Sequence, residues 1–505
     1  MEASRDDGIL VLTTRERDWW WSMQEVIPAL EGAWTRVGEV TGETVSMLCV
    51  PLPPAVESSL RASAPRLKRV VITCVTAETE RIALLLRVHL KVDAPMTVYL
   101  CGDATEGFHY FGPLRDVLTE QDTFIVASEA DAAATRCCFP NARVETVPFP
   151  LVDQFEVDRG ERDARLTTPS LAYVGRISEQ KNLHTLLLAL WISRTSYGRG
   201  PELTIDFYGA EDNLGSPNMD LRFPDYGAYL QRLVELLGLT DVVTWHGFKS
   251  REWLFDHVHL EPHILVSPTL HSDENFGISV LASLVNGHQV VATAWGGHFG
   301  FREWFPQQLT TVPVHRSTMG PVVDPVLLAN AIVHAADRAS AFVAPNADLD
   351  RAREAFSQSA AVALILEMLS RPDGEPVPLE KSGVLQRIDE QRASFGGSRK
   401  IYESYEDPLV HVFFEAYGMK DPLSFREESL YVLPPWVSVS ADAVRIDDPH
   451  RGRRRLDIDT GTSQLVEVSL CPSMETCRLP KSLVADLATS GYAFVLPPRT
   501  EVATL

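Results

Sequence analysis

Two series of short apolar runs organise this chain. From Gly8 to about Val152 they fall at Ile9 to Leu12, Met47 to Val50, Val70 to Val75, Thr97 to Leu100, Phe124 to Ala127 and Val144 to Val147, with helix-like stretches between them. Continuous runs rich in β-branched residues, rather than alternating ones, are the pattern of parallel strands buried on both faces. Asp153 to Pro169 is charged and poor in large apolar residues. A second series follows at Leu171 to Val174, Leu203 to Tyr208, Val242 to Trp245, Ile264 to Ser267 and Val290 to Thr293. The pattern predicts an α/β fold of two Rossmann-like domains, residues 1–152 and 171–348, joined by a linker over 153–170.

Near-helical spacing of Ala355, Val362, Ile365 and Met368 predicts one closing helix over 349–371, stopped by Arg371-Pro372-Asp373-Gly374. The texture then changes. An amphipathic stretch from Lys400 to Tyr417, a break at Pro434-Pro435, short strand-like runs, a basic cluster from His450 to Arg455 and a helix-like Lys481 to Ser490 follow. Residues 372–505 read as a small α+β extension of winged-helix-like character. Cutting the chain after Arg371 is therefore expected to leave a folded two-domain core.

At 505 residues the chain exceeds what one hydrophobic core organises. Its formal charge of −22 disfavours nucleic acid or an anionic membrane as partner. Arg451, Arg453, Arg454 and Arg455 accordingly read as a solvated turn between strands rather than a nucleic-acid patch. No stretch is long and apolar enough to span a bilayer, so no transmembrane segment is expected. Met1 to Asp7 lacks the basic flank and apolar core of a secretory leader, and a cytoplasmic location is expected. The seven cysteines are odd in number and lack C-x-x-C spacing, which indicates neither a disulfide framework nor a zinc site.

Two segments carry chemistry. In Leu171-Ala172-Tyr173-Val174-Gly175-Arg176-Ile177-Ser178-Glu179-Gln180-Lys181-Asn182, a Gly and an Arg lie just past a buried strand and a Lys opens the next helix. Ligands of open α/β sheets collect at the carboxyl ends of strands, where helix amino ends favour anions. The planar fork of Arg176 and the compact charge of Lys181 then suit a diphosphate. In the second segment a strand ends at Ser267, and a loop carries Glu274 and Asn275. Gly277 precedes a helix that Gly287 terminates, and Gly296-Gly297 lie beyond it. An acid in such a loop hydrogen-bonds sugar hydroxyls or faces positive charge developing at a sugar carbon.

With those residues in view, the chain resembles glycosyltransferase family 4 and its group 1 relatives, of the GT-B fold. Their second domain carries G-R-x-x-x-x-K after a strand, a G-F/V strand exit, E-x-F-G-x-x-x-x-E and a downstream G-G. Here these positions hold Gly175, Arg176 and Lys181; Trp245-His246-Gly247-Phe248; Glu274, Phe276 and Gly277; and Gly296-Gly297. The likeness is strong from about Leu171 to Gly297, architectural over Gly8 to Val152, and ends before about Leu369. It implies retaining transfer of a sugar from a nucleoside-diphosphate sugar to an unidentified acceptor, with no cofactor and no essential metal. It further implies that Glu274 lies at the donor sugar, that the backbone of Phe276, Gly277, Ile278 and Ser279 supports it, and that Gly247 and Phe248 lie near the nucleobase. His109, after the strand Thr97 to Leu100, sits where family members place an acceptor-side His. A lone His is more often structural.

Two positions depart from the pattern. The second acid of the motif, a ribose ligand in the family, is Ala282 here, at a position expected to face the nucleoside. The Gly-rich turn after the first strand is replaced by Thr13 to Trp21, ending in Trp19-Trp20-Trp21. Trp20, Met23 and Ile27 have helical spacing and read as packing rather than an acceptor platform. Ser22 and Glu25 form a candidate capping box for a helix that Pro28 would kink or interrupt. The rival to an active transferase is a catalytically silent GT-B protein acting as a binding or scaffold subunit.

Overall fold

The computed structural model describes residues 8–15, 21–102, 112–155, 170–198, 203–211, 225–260, 263–270, 274–317, 320–394, 407–427, 429–449, 452–458 and 464–496. Trp19, Trp20, His109, most of the linker, His450 and Arg451 lie outside these residues.

The first unit is a six-stranded parallel sheet of β1 (Gly8–Thr14), β2 (Thr44–Val50), β3 (Leu67–Ile72), β4 (Met96–Tyr99), β5 (Thr123–Val126) and β6 (Arg143–Thr146), in the order β2-β1-β3-β4-β5-β6. Both faces of β1 are buried, as its unbroken apolar run requires. Leu10 and Leu12 join one apolar cluster with Ile72 and Val98, while Ile9 and Val11 join another with Val26 and Trp34. The helix Trp21–Thr41 already includes Ser22 and continues through Pro28 without interruption. Glu25 is buried and lies 3.3 Å from Arg251 of the second unit.

The second sheet holds β7 (Ser170–Val174), β8 (Thr204–Tyr208), β9 (Val243–Gly247), β10 (Ile264–Ser267), β11 (Gln289–Thr293) and β12 (Leu309–Val312). Its order is β12-β11-β10-β7-β8-β9, all parallel. The chain reverses its direction of winding between the adjacent strands β7 and β10. Their carboxyl ends open the crevice in which doubly wound sheets bind ligands.

The closing segment differs from the single helix expected. Helices span Asn346–Ala355 and Gln358–Ser370, and Ser357 caps the second by accepting from Ala360 N at 3.2 Å. Buried Phe356 between them fills the cluster around Phe276 and Phe301. The second helix returns to the first unit, where Arg143 donates to Met368 O at 2.7 Å and Arg371 grips Glu145.

The residues that follow are not a detached appendage. Thr119 bridges Pro378, and Arg115 binds Asp389. The helix Pro408–Ala416 packs against the helix Glu129–Cys138 of the first unit. Buried Phe414 and Tyr417 stack near Trp295 of the second unit, and Tyr417 donates to Asp131 at 2.6 Å. The strand β13 (Val314–Ser317) pairs with β14 (Gly320–Val323) and with β15 (Met419–Lys420). A boundary after Arg371 thus cuts through packing shared by both units.

Further on, β16 (Tyr431–Leu433), β20 (Leu465–Leu470), β21 (Glu475–Pro480) and β22 (Phe494–Val495) form one small sheet in the order β21-β20-β16-β22. Strands β17 (Val437–Val439), β18 (Ala443–Asp448) and β19 (Gly452–Asp457) form another. Arg453 and Arg455 lie on β19, a strand rather than a turn, and bind Asp447, Asp442 and Asp457 at 2.7 to 3.0 Å.

Candidate active site

Hydrogen bonds lace together the exits of the second sheet. Gly175 N donates to Tyr208 O at 3.0 Å, Ile177 N to Ala210 O at 2.8 Å, and Gly209 N to Gly247 O at 3.0 Å. Arg176, half-buried, sits in this exit with its carbonyl held by the Tyr173 hydroxyl at 2.7 Å. Lys181 does not open a helix. It ends a short 3-10 turn, Glu179–Lys181, and Asn182 follows in the left-handed region at φ 56° before the helix Leu183–Thr195.

That turn is tied to the exit of β10. Leu270 N donates to Gln180 O at 2.9 Å, and the Asn182 side chain donates to Pro268 O at 3.2 Å. The linkage brings Lys181 against Glu274 although 93 positions separate them, and the two form an ion pair. The side chains of Lys181 and Glu274 are only 16% and 13% exposed. His298, buried, places its Nε2 3.8 Å from the other Glu274 oxygen.

Burial alone would push the Glu274 carboxyl up. The charge of Lys181 and, at the low pH where the carboxyl titrates, that of His298, with hydrogen bonds from Lys181 and Thr269, outweigh it and hold the carboxyl down at about 2. For His298, burial is the largest influence and lowers the ring to about 4 against the upward pull of Glu274. At neutral pH the arrangement is an ionised acid between a cation and a neutral imidazole.

Glycines make this packing possible. Gly277 has φ +87°, and a Cβ there would overlap the His298 ring. Gly296 has φ +55°, and a Cβ on it or on Gly297 would overlap the backbone of Glu274, Asn275 or Phe276. Gly297 N donates to Glu274 O at 2.7 Å, fixing the loop that presents the acid. The helix Ile278–Val285 starts at Gly277, so the unpaired N–H groups of its first turn, from Ile278 and Ser279 onward, lie beside the Glu274 loop. The Asn275 side-chain amide nitrogen is buried with no hydrogen-bond partner among the described residues. The Phe276 ring points into the core, against Phe149 of the first unit at 5.2 Å.

Gly247, at φ +65°, turns β9 outward, and Phe248 after it is 60% exposed. Beside them Tyr208 stacks on His246 at 4.5 Å, Trp253 on His257 at 4.3 Å, and Lys249 lies over Trp253.

Residues 154–301 match the family model of glycosyl transferases group 1. Over that span the chain carries a domain similar to the group 1 glycosyl transferases. No curated protein matches the transferase by sequence. Among solved structures it is similar to Anabaena Alr3699/HepE in complex with UDP, at 16% identity and a TM-score of 0.52, over 72% of this chain and 99% of that one. It is also similar to a glycosyltransferase from Rickettsia africae, at 13% identity and a TM-score of 0.48, over 73% of this chain and 100% of that one. The fold of the transferase is GT-B: two Rossmann-like units with an added C-terminal region.

The structure thus gathers Gly175, Arg176, Lys181, Glu274, Asn275, Gly277, Ile278 and Ser279 at one end of the second sheet, with Gly247 and Phe248 at the neighbouring exit. His109 lies outside the described residues. His298 escaped the sequence reading, although its place directly after Gly296-Gly297 was a usable signal. Ala282 does not open on the crevice. It is 4% exposed, in the apolar cluster that holds Phe155, Phe276 and Val280. Among the described residues no helix of the transferase is long and apolar enough to cross a membrane.

Proposed function

We propose that this glycosyltransferase holds a nucleoside-diphosphate sugar at the junction of β7 and β10 and moves the sugar, with retention of configuration, to an acceptor bound by the first unit. The observation that carries the reading is Glu274, kept ionised beside Lys181 at the point where the winding of the sheet reverses. Arg176 and Lys181 are the cations for the diphosphate, in place of a divalent ion. When a donor arrives, Lys181 exchanges part of its contact with Glu274 for phosphate oxygens. The freed carboxylate then accepts hydrogen bonds from the sugar or faces charge developing at its anomeric carbon.

Retention agrees with the acidity of this carboxyl. An inverting transfer needs a base to activate the acceptor hydroxyl, and a group at about 2 is a poor base at neutral pH. The buried His298, at about 4, is little better. Gly247, Phe248 and the aromatic layer beside them suit the nucleobase face. The UDP bound in the similar HepE structure makes uridine donors the first to test. All seven cysteines are free thiols, which supports a reducing, cytoplasmic compartment.

The test is a thermal-shift screen of nucleoside-diphosphate sugars against the wild type and Lys181→Ala, followed by proton NMR of the product's anomeric configuration. A donor that raises the wild-type melting temperature and loses that effect in the variant supports the site. No response to any donor defeats the donor site, and an inverted product defeats retention.

A further inference from the structure

At the opposite edge of the second sheet, where β10 and β11 begin, three histidines meet. His259 ends the helical segment Arg251–His259, His263 immediately precedes β10, and His288 immediately precedes β11. The pairing of Ile264 with Gln289 sets His263 and His288 side by side, and their rings stack at 4.0 Å. All three are buried, at 3%, 6% and 4% exposure, and one ring nitrogen of each lies within 4.8 Å of the other two. None belongs to the donor site, whose residues follow the carboxyl ends of the same strands.

We propose that His259, His263 and His288 form a structural zinc site that pins the amino ends of β10 and β11 to the helical turn before them. Neutral imidazole is a ligand of choice for zinc. The His288 Nε2 lies 3.0 Å from the His259 carbonyl, which can only accept, so Nε2 carries the proton and Nδ1 is the nitrogen a metal would take. A ring oriented through its other nitrogen by a backbone carbonyl is the usual outer-shell support of a metal ligand. His263 Nε2 lies 3.4 Å from Ser283 Oγ, a hydroxyl able to accept its proton.

The local field has the right sign. His288 N donates to Ser283 O at 3.1 Å, which places the cluster at the carboxyl, negative end of the helix Ile278–Val285. The amino end of that helix serves the donor loop. Tetrahedral zinc with nitrogens at about 2.0–2.1 Å sets them about 3.3 Å apart, so drawing the nitrogens together by no more than about 1.5 Å, with the stacked His263 and His288 rings turning so that both lone pairs meet at the ion, completes three ligands. A water or hydroxide takes the fourth position and offsets part of the charge. Cysteine spacing carries no zinc signal in this chain, and the three histidines come together only through strand pairing.

Tag-free protein purified without chelator is expected to contain one zinc per chain by mass spectrometry. After chelation, zinc should raise the melting temperature by several degrees, and cobalt should give the intense visible bands of a tetrahedral ion. His263→Gln should lose the bands and the thermal response. Absence of stoichiometric metal together with no thermal response in the wild type overturns the site, whether or not the variant folds. Unchanged cobalt bands in a folded His263→Gln protein overturn the ligand assignment. Neither readout involves sugar transfer.

Discussion

Replacing Lys181 with Ala should unbalance the buried acid beside it. The carboxyl of Glu274 stands at about 2 rather than an ordinary 4.5, and at ~1.4 kcal/mol per pH unit this is about 3–4 kcal/mol in favour of the ionised, folded form. Because the folded value is depressed, that contribution is present in full above about pH 4.5 and is lost as pH falls toward 2. Burial opposes ionisation, and the charge and hydrogen bond of Lys181 help to overcome it. Without Lys181 the carboxyl moves up, and a buried, uncompensated charge remains at neutral pH. Breaking such a pair from one side costs about 3–5 kcal/mol.

The assay is urea and thermal unfolding of the wild type, Lys181→Ala, Glu274→Gln and the double variant, at pH 7.5 and again near pH 4. We expect Lys181→Ala to be destabilised most at pH 7.5, and Lys181→Ala/Glu274→Gln to recover part of the loss because no charge is left stranded. If Lys181→Ala lies within about 0.5 kcal/mol of wild type at pH 7.5, the ion pair has no such role. If the double variant is as unstable as the sum of the singles, the two side chains do not act together.

Glu274→Gln should bind nucleotide nearly as wild type while turnover falls at least about 100-fold, the pattern of an interaction made mainly in the transition state; turnover within a few-fold excludes Glu274 from that role. Gly277→Ala places a side chain at φ +87° and against the His298 ring, so its melting temperature should drop by the equivalent of about 1–3 kcal/mol, checked by calorimetry. Burial pushes the Glu25 carboxyl up to about 7, with Arg251 opposing and Glu252 adding, so its contribution is present below about pH 4.5 and lost as pH rises through 7. Glu25→Gln should therefore gain stability relative to wild type between pH 5 and pH 8, and a flat difference in unfolding curves would refute this. Truncation after Arg371 removes buried Phe413, Phe414, Tyr417 and Met419, each contributing about 1.5–3 kcal/mol of burial. The product should be insoluble or molten by size exclusion and near-ultraviolet circular dichroism, and a sharp, monomeric, nucleotide-binding fragment would show the extension to be dispensable.

Much of this protein was legible in the linear chain. The eleven apolar runs from Ile9 to Val147 and from Leu171 to Thr293 fall on eleven of the twelve strands of the two sheets with little displacement, because a strand buried on both faces is apolar along most of its length. The lone strand missed, β12, contains Thr310 and Thr311, half-buried at the edge of its sheet, where the pattern weakens. Gly175, Arg176, Lys181, Glu274, Gly277 and Gly296-Gly297 stood out in the sequence because each lies just past an apolar run, where strand exits and helix starts of an open α/β sheet fall.

Only the tertiary structure decided how those pieces meet. That Lys181 and Glu274 neutralise each other depends on hydrogen bonds from the turn before Asn182 to the loop after Ser267. That Ala282 is core, that Glu25 answers Arg251, and that residues 408–420 join both units are matters of which surfaces face each other. Local periodicity records whether a residue is buried, but not against what. His259, His263 and His288 make the same point, since no spacing along the chain announces a cluster assembled by the register of β10 on β11.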